Sequence, residues 1–268
     1  MPGPFAIPVG LNPTAVGVSV AWWVAAARRA EDAGFATAWI WDHFISRGDL
    51  DDSLLECFTT LTATAAATER ISVGSFVANN VNRHPALLAN MVGTLADLAP
   101  GRVELGIGIG GHPAEHENYG IDFPPARERA QRLEEAIAVL RLLSAGGPAD
   151  FEGRYYQLRE ARSFPAPDPR PRITIAGMRP AGARMAARLG DAWTCFGQSY
   201  DELRPVFDEA LADAGRTPDD VGVVVSIDHE EASEPIASLA ARWQERGATE
   251  LIIHDLDAEE LERILGLV

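Results

Sequence analysis

Between Gly101 and Gly120 the chain reads GRVELGIGIGGHPAEHENYG. Val103 to Ile107 is an apolar run that reads as a buried strand. Glycines at 106, 108, 110 and 111 follow it, and then His112, Glu115, His116 and Glu117. Glycine at a strand end lets a ligand lie against the backbone, because no Cβ holds it off. His112-Pro113-Ala114-Glu115-His116 spells H-x-x-E-H. On a helix that spacing puts two imidazoles one turn apart with a carboxylate between them, the pattern of a zinc hydrolase. Pro113 suits a first helical position; the alternative is a polar, solvated loop. No third ligand can be picked out, and no H-x-H pair stands at the first strand end. Gly106, Gly108 and Gly111 also fit G-x-G-x-x-G. That fingerprint needs a strand–turn–helix unit of ~30 residues with an acid ~20 residues on. Here the chain soon reaches Gly120 and Pro124-Pro125, and the next plausible strand is at Ile173.

Two further clusters carry chemistry. Asp42-His43 directly follows the β-rich run Thr37 to Trp41. A histidine beside a carboxylate at a strand end can donate a hydrogen bond or move a proton near neutral pH. Gly177-Met178-Arg179-Pro180-Ala181-Gly182-Ala183 reads as a strand end, a small-residue turn and a helix start. Free backbone N–H groups and the helix dipole bind phosphate at such a place, and Arg179 adds a positive charge.

The elements that must position these clusters alternate. Strands are expected at Phe5–Gly10, Thr37–Trp41, Ile71–Ala78, Val103–Ile107, Ile173–Ala176, Ala192–Cys195, Gly222–Ile227 and Glu250–His254. Helical spacing marks segments from Ser19 to Gly34, Ser53 to Glu69, Pro85 to Leu98 and Arg127 to Leu143. It marks others from Pro180, Ser199, Ile236 and Asp257, where Ser199-x-x-Glu202 reads as a capping box. Residues 144–172, rich in Pro and Gly, read as an irregular excursion, with a hairpin possible at Phe151–Leu158. Eight strand–helix units in ~250 residues predict an α/β fold, a closed (β/α)8 TIM barrel formed by residues 1–268 as one domain. An open doubly wound sheet is the alternative. In a barrel the site gathers at the C-terminal strand ends. Those ends carry Asp42-His43, Asn79-Asn80, the glycine run, Gly177 to Ala181, Cys195 to Gln198, Asp228-His229 and His254-Asp255.

The 268 residues are 47% hydrophobic, enough for a large core. Acids outnumber bases 39 to 23, a net charge of −16. Such a chain repels polyanions, which argues against nucleic acid and anionic membrane as partners and leaves a small molecule. Two distant cysteines, no basic-plus-apolar leader and no spanning run point to a cytoplasmic protein.

Several stretches taken together resemble a known family. They are Ala26 to Phe44, Ala67 to Ala89, Leu98 to Arg129, the segment FEGRYYQL, and Ile173 to Trp193. The chain resembles the bacterial luciferase-like monooxygenases, especially their coenzyme F420-dependent oxidoreductases, over nearly its whole length. The resemblance implies hydride transfer between F420 and a small organic substrate; FMN with monooxygenase chemistry is the alternative, and a homodimer is implied as well. It places His43 of the D-H-F motif against the reactive ring, with Asp42 beside it as a second catalytic position. It places a cis peptide at Phe76-Val77 under the ring and Asn79 at the ring's polar edge. Gly108, Gly110, Gly111 and His112 form the opposite wall, and Gly177, Met178, Arg179, Pro180 and Ala181 hold the phosphate. The family's sugar-phosphate dehydrogenases carry a glutamate directly after the glycine run and a tryptophan four residues past the histidine. Here those places hold Gly111 and Arg47, which argues against that substrate and that proton relay.

Overall fold

The computed structural model describes residues 4–46 and 51–268, so Arg47 lies outside the described residues. The first half runs β1 (Val9–Pro13), α1 (Val20–Asp32), β2 (Thr37–Ile40), α2 (Cys57–Ala67), β3 (Ser72–Asn79), α3 (Pro85–Leu98), β4 (Val103–Gly108), α4 (Pro113–Tyr119) and α5 (Ala126–Ser144). It continues β5 (Ala149–Glu152), β6 (Gln157–Ala161), β7 (Arg172–Ala176), α6 (Pro180–Leu189), β8 (Ala192–Phe196) and α7 (Tyr200–Asp213). It ends β9 (Gly222–Asp228), α8 (Ile236–Glu245), β10 (Glu250–Leu256) and α9 (Ala258–Leu265). Strands β1, β2, β3, β4, β7, β8, β9 and β10 pair in parallel with their chain neighbours, and β10 closes on β1. The barrel is closed, so the open doubly wound sheet is excluded. β5 and β6 form a separate antiparallel hairpin inside the excursion.

Local chemistry sets most of the helix ends. Ser19 caps α1 by accepting from Trp22 N, Asp257 caps α9 by accepting from Glu260 N, and Pro85 takes the first position of α3. Four expectations shift. β1 starts at Val9 rather than Phe5, because the Phe5 ring packs on Phe35 (5.5 Å) outside the ladder. α2 starts at Cys57, not Ser53: Glu56 accepts from Phe58 N and Thr59 N, while Leu54 bridges to Val16. Ser199 makes no side-chain cap, because a 3₁₀ turn over Gly197–Ser199 precedes α7. Leu98, the last residue of the helical spacing that begins at Pro85, leaves the apolar stripe and faces solvent (45% exposed).

The barrel interior is built in levels. At the N-terminal ends Arg172 bonds Glu104 (2.8 Å) and Glu250. Burial works against the charge on Arg172, but the two carboxylates outweigh it and raise its pKa. Above them lie Trp39, Ala192, Val224 and Ile252, with Phe76 against them. The Trp39 indole fits between two glycines: a Cβ on Gly10 would lie 2.5 Å from its Nε1, and one on Gly74 2.5 Å from its Cζ3. Higher still, the inward positions carry Asn12, Thr194 and Ser226, fully buried, with Asn12 Oδ1 and both hydroxyls unpartnered among the described residues. A cavity of about 430 Å³ lined by Ile7, Phe207, Val221 and Thr249 opens at the N-terminal ends, away from these groups. Among the described residues, no helix is long and apolar enough to cross a membrane.

Gly74→Ala forces a methyl into the indole slot and should cost about 1–3 kcal/mol, the usual range for overpacking. Urea unfolding followed by tryptophan fluorescence reads the change; an unmoved midpoint would show that the slot has slack.

Candidate functional site

The loops after β2, β3, β4 and β7 meet at the C-terminal mouth of the barrel. Asp42 is 2% exposed and anchors this rim. Its carboxylate accepts two N–H groups of Arg83 (2.6 and 2.8 Å) and the backbone N–H of Asn79 (2.7 Å). Arg83 is itself buried, with its guanidinium 4.9 Å over the Phe58 ring. The pair is bidentate and shut away from solvent, so Asp42 ties the end of β2 to the loop after β3.

His43 follows at once, with its side chain 18% exposed. Its Nδ1 lies 3.0 Å from Glu115 Oε2, and the same oxygen accepts from Phe44 N (2.9 Å). Glu115 has no solvent exposure. Burial pushes its carboxyl up, but the bonds from His43 and Phe44 with the nearby imidazoles win, holding it below the usual carboxylate range. The imidazole therefore has an anionic partner on Nδ1, which fixes the orientation of its ring. Its ring meets Trp41 (6.4 Å) and His112 (5.9 Å) edge-on.

The polar cluster after the glycine run folds as α4, with Pro113 at its start and His112 in the left-handed region (φ 59°). H-x-x-E-H does not converge on a metal there. His116 is fully buried; its Nδ1 lies 3.2 Å from His112 O and its Nε2 3.1 Å from Asn79 Nδ2. Asn79 Oδ1 accepts from Val81 N, which turns its Nδ2 toward His116 Nε2, and Asn82 Oδ1 lies 3.2 Å from the same ring nitrogen. Glu115 turns to His43 instead. Among the described residues the one group with metal-ligand spacing is Asp228, His254 and Asp255. The zinc-hydrolase expectation is corrected on this geometry.

The other residues singled out in the sequence divide between lining and packing. The Phe76-Val77 peptide is cis, in a bulged part of β3 where the register with β4 slips. Val77 packs against Gly108, where an added Cβ would lie 3.1 Å from Val77 Cγ2. Gly110 (φ 86°) needs its lack of a side chain, because Asn79 Oδ1 occupies the place of a Cβ; Gly111 faces open space. Asn79 is spent on Val81 and His116, so its amide is turned into the protein and not toward the mouth. A Cβ on Gly177 would lie 2.7 Å from Ala183 N, so glycine there lets α6 start tight against the strand end. The first residues of α6, Pro180 and Ala181, are exposed with Arg179, and Met178 is half-buried.

Two groups at the site carried no sequence signal for their role. Glu115 reaches His43 across 72 positions. Arg129, from the first turn of α5, donates to Gly110 O (2.5 Å) and lies 3.8 Å over Phe123. The H-x-x-E-H spacing flagged Glu115, but only the fold pairs it with the D-H-F histidine.

The family model for luciferase-like monooxygenases matches residues 5–250, and the chain belongs to that family. It is 32% identical over 241 residues to the F420-dependent glucose-6-phosphate dehydrogenase of Microbacterium testaceum, covering 84% of this chain and 70% of that enzyme. It is 34% identical over 203 residues to the F420-dependent hydroxymycolic acid dehydrogenase of Mycobacterium tuberculosis, covering 74% of this chain and 56% of that one. Among solved structures, an F420-dependent secondary alcohol dehydrogenase in complex with an F420–acetone adduct superposes with a TM-score of 0.86 at 19% identity over 98% of both chains. The F420-dependent tetrahydromethanopterin reductase of Methanopyrus kandleri superposes at 0.78 with 18% identity, covering 98% of this chain and 97% of that one. At these identities the superpositions speak for the fold alone.

Asp42→Asn leaves the largely buried Arg83 guanidinium with only the half-exposed Glu56 (3.7 Å) as an anionic partner and should destabilise the protein by about 2–4 kcal/mol. Asp42→Asn with Arg83→Met should recover part of that loss in denaturant titration. A single variant as stable as the wild type would remove the pair from its anchoring role.

Because Glu115 is held below the usual range, its contribution is full above about pH 4–5 and falls away as pH drops through its folded pKa. Glu115→Gln should flatten that limb of the stability–pH curve. An unchanged limb would mean that other carboxylates carry it.

Proposed function

We propose that the chain is an oxidoreductase that transfers a hydride between coenzyme F420 and a small organic substrate at the barrel mouth, with residues 1–268 acting as one unit. The observation that carries this reading is the His43–Glu115 dyad standing at a glycine-lined strand end in a chain 32% identical to F420-dependent dehydrogenases. The residues present suit a flat, phosphate-tailed cofactor. Gly108 and Gly111 leave the β4 side of the mouth bare, Phe76 and Val77 provide an apolar face, and α6 offers an exposed N-terminus with Arg179 beside it. Asn12, Thr194 and Ser226 bring unpartnered polar atoms to the inward positions above Trp39, where a ligand's polar edge would satisfy them.

F420, when bound, supplies the hydride-accepting or hydride-donating carbon. His43 sits at the substrate's oxygen and takes the hydroxyl proton in the oxidising direction or returns it to the carbonyl in the reducing one, while Glu115 stabilises the imidazolium. His112 and Gly108 to Gly111 close the far wall. Gly177 to Ala181 receive the phosphate through free backbone N–H groups. Asn79 acts from behind by locking His116 and the β3 loop. Asp42 likewise positions His43 through the Arg83 pair and does not itself reach the reacting atoms. A homodimer belongs to this reading, with Leu87 on α3 and Phe164, bonded through its carbonyl to Asn90 one turn on, as exposed apolar surface.

Fluorescence titration of the purified chain with F420 and with FMN tests the proposal. Saturable binding of F420 well ahead of FMN is expected. His43→Gln should keep that binding and lower hydride transfer by roughly 10²–10⁴-fold, the usual contribution of a general acid–base. Preference for FMN would move the chain to the monooxygenase branch; binding of neither would remove the proposal.

A further inference from the structure

The proposed function uses the walls of β3, β4 and β7 for the cofactor and the end of β2 for His43. That leaves β8, β9, β10 and β1 to face the substrate. Strand parity fixes which residues turn inward there. Ala192, Val224 and Ile252 pack on Trp39 inside the barrel, so two residues on Thr194, Ser226 and His254 face inward too, and then Phe196 and Asp228. Gly10 lies against Trp39 in the same way, which brings in Asn12. The flank so formed has an aromatic upper layer: the Phe196 ring lies 5.4 Å from His254, and Phe76 of β3 lies 6.5 Å from the same imidazole. Beneath it the floor is polar but uncharged. Asn12 Oδ1, Thr194 Oγ1 and Ser226 Oγ are buried and without partners among the described residues. A hydroxyl or carbonyl satisfies such atoms, whereas an anion finds no counter-charge in them.

The supply of positive charge is short. The chain has no lysine, and its 23 Lys and Arg positions are all arginine. Of the arginines after β8, Arg204, Arg242, Arg246 and Arg263 are each paired with a carboxylate, and Arg216 is spent on backbone carbonyls. His254 Nδ1 lies 3.2 Å from Asp255 Oδ2, and His229 Nδ1 lies 2.9 Å from Glu260 Oε2. Each imidazole thus brings its own carboxylate, and each pair is neutral or negative whether or not its ring is protonated. Asp228 adds a further, half-exposed acid. On the other walls Arg83 is taken by Asp42, Arg129 donates to Gly110 O, and Arg179 stands at the start of α6 with the cofactor's phosphate. Among the described residues no cation is left on this flank for a second anion.

We propose that this flank selects an uncharged alcohol or ketone as substrate and turns away phosphorylated and carboxylated ones. Phe196 is its apolar seat, and the Thr194 and Ser226 hydroxyls are its hydrogen-bonding floor. The inference rests on the proposed function and narrows its substrate class. In the oxidising direction the carbinol C–H leaves as hydride to oxidised F420, the O–H proton goes to His43, and the C–O bond becomes a carbonyl. Nothing in that step calls for a charge on the substrate. An anion brought beside Asp228 and Asp255 gives up hydration and meets like charge. A neutral body of the same size gives up only water that the aromatic layer does not hold well.

A matched pair of substrates tests this. Methyl 3-hydroxybutyrate and 3-hydroxybutyrate carry the same secondary alcohol and differ by one negative charge. Hydride transfer from each to oxidised F420 is followed by the loss of the cofactor's fluorescence, with glucose 6-phosphate as a third substrate and F420 affinity measured alongside. The ester should exceed both anions in kcat/KM by roughly 100-fold, the scale on which like charge at a desolvated site discriminates. Asp228→Asn removes one like charge and keeps an N-cap acceptor for Glu230 N; it should narrow that ratio by roughly fivefold. Anions oxidised as well as the ester would overturn the inference, while F420-dependent turnover left the parent reading standing. A ratio that Asp228→Asn leaves unmoved would overturn it too, because charge at this flank would not be what selects. If F420 does not bind, or binds and no alcohol of either charge is oxidised, both readings fall together.

Discussion

A buried carboxylate gathers the working end of this barrel. Asp42 sits at the end of β2, accepts both arms of Arg83 and the backbone N–H of Asn79, and so welds two adjacent strand ends into one rigid rim. Desolvating two charges is costly, and such a pair is kept only where its geometry is good and its remaining lone pairs are used. Here they are, and the consequence is local. His43 leaves the rim at a fixed angle, Asn79 is turned back toward His116, and α4 is drawn in until Glu115 meets His43.

The interior has two sides. β4 and β7 turn small residues inward, with Gly106 in register with Thr174 and Gly108 beside Ala176. β3, β8 and β10 turn Phe76, Phe196 and His254 inward. The mouth is thus bare on one flank and aromatic on the other. Two imidazole–carboxylate dyads then face it from different walls. The acidic surface, net −16, would repel an anionic cofactor at a distance. Under the proposed function the attraction is short-ranged, from the exposed start of α6 with Arg179 beside it.

Much of this was legible in the amino-acid order, for physical reasons. Buried parallel strands are continuous apolar runs, and glycines or prolines bound them, so β3, β4, β7 and β10 stand out. Helices with a side-chain cap, such as α1 and α9, declare their first residue. The misplacements share one cause: a cap or strand start is decided by partners far along the chain. Leu54 left the expected helix to pair with Val16, and Phe5 left the expected strand to pack on Phe35. At the site, strand-end position was enough to single out His43 and the glycines. It was not enough to separate side chains that face the mouth from those that brace it. Asp42 and Asn79 face inward to the protein, and the partners that decide this, Arg83 and His116, belong to other elements. H-x-x-E-H looked like a metal motif because its spacing is local, whereas the bond from Glu115 to His43 spans two barrel units.

The central claim is that the C-terminal mouth of the barrel, between the glycine run and the aromatic flank, is where a deazaflavin lies. Backbone hydrogen exchange with and without F420 tests this directly. Protection should appear together in Phe76–Asn79, Gly108–His112 and Gly177–Ala181, three segments that meet only at that mouth. Protection confined to the N-terminal cavity around Ile7, Val221 and Thr249, with those three segments unchanged, would contradict it.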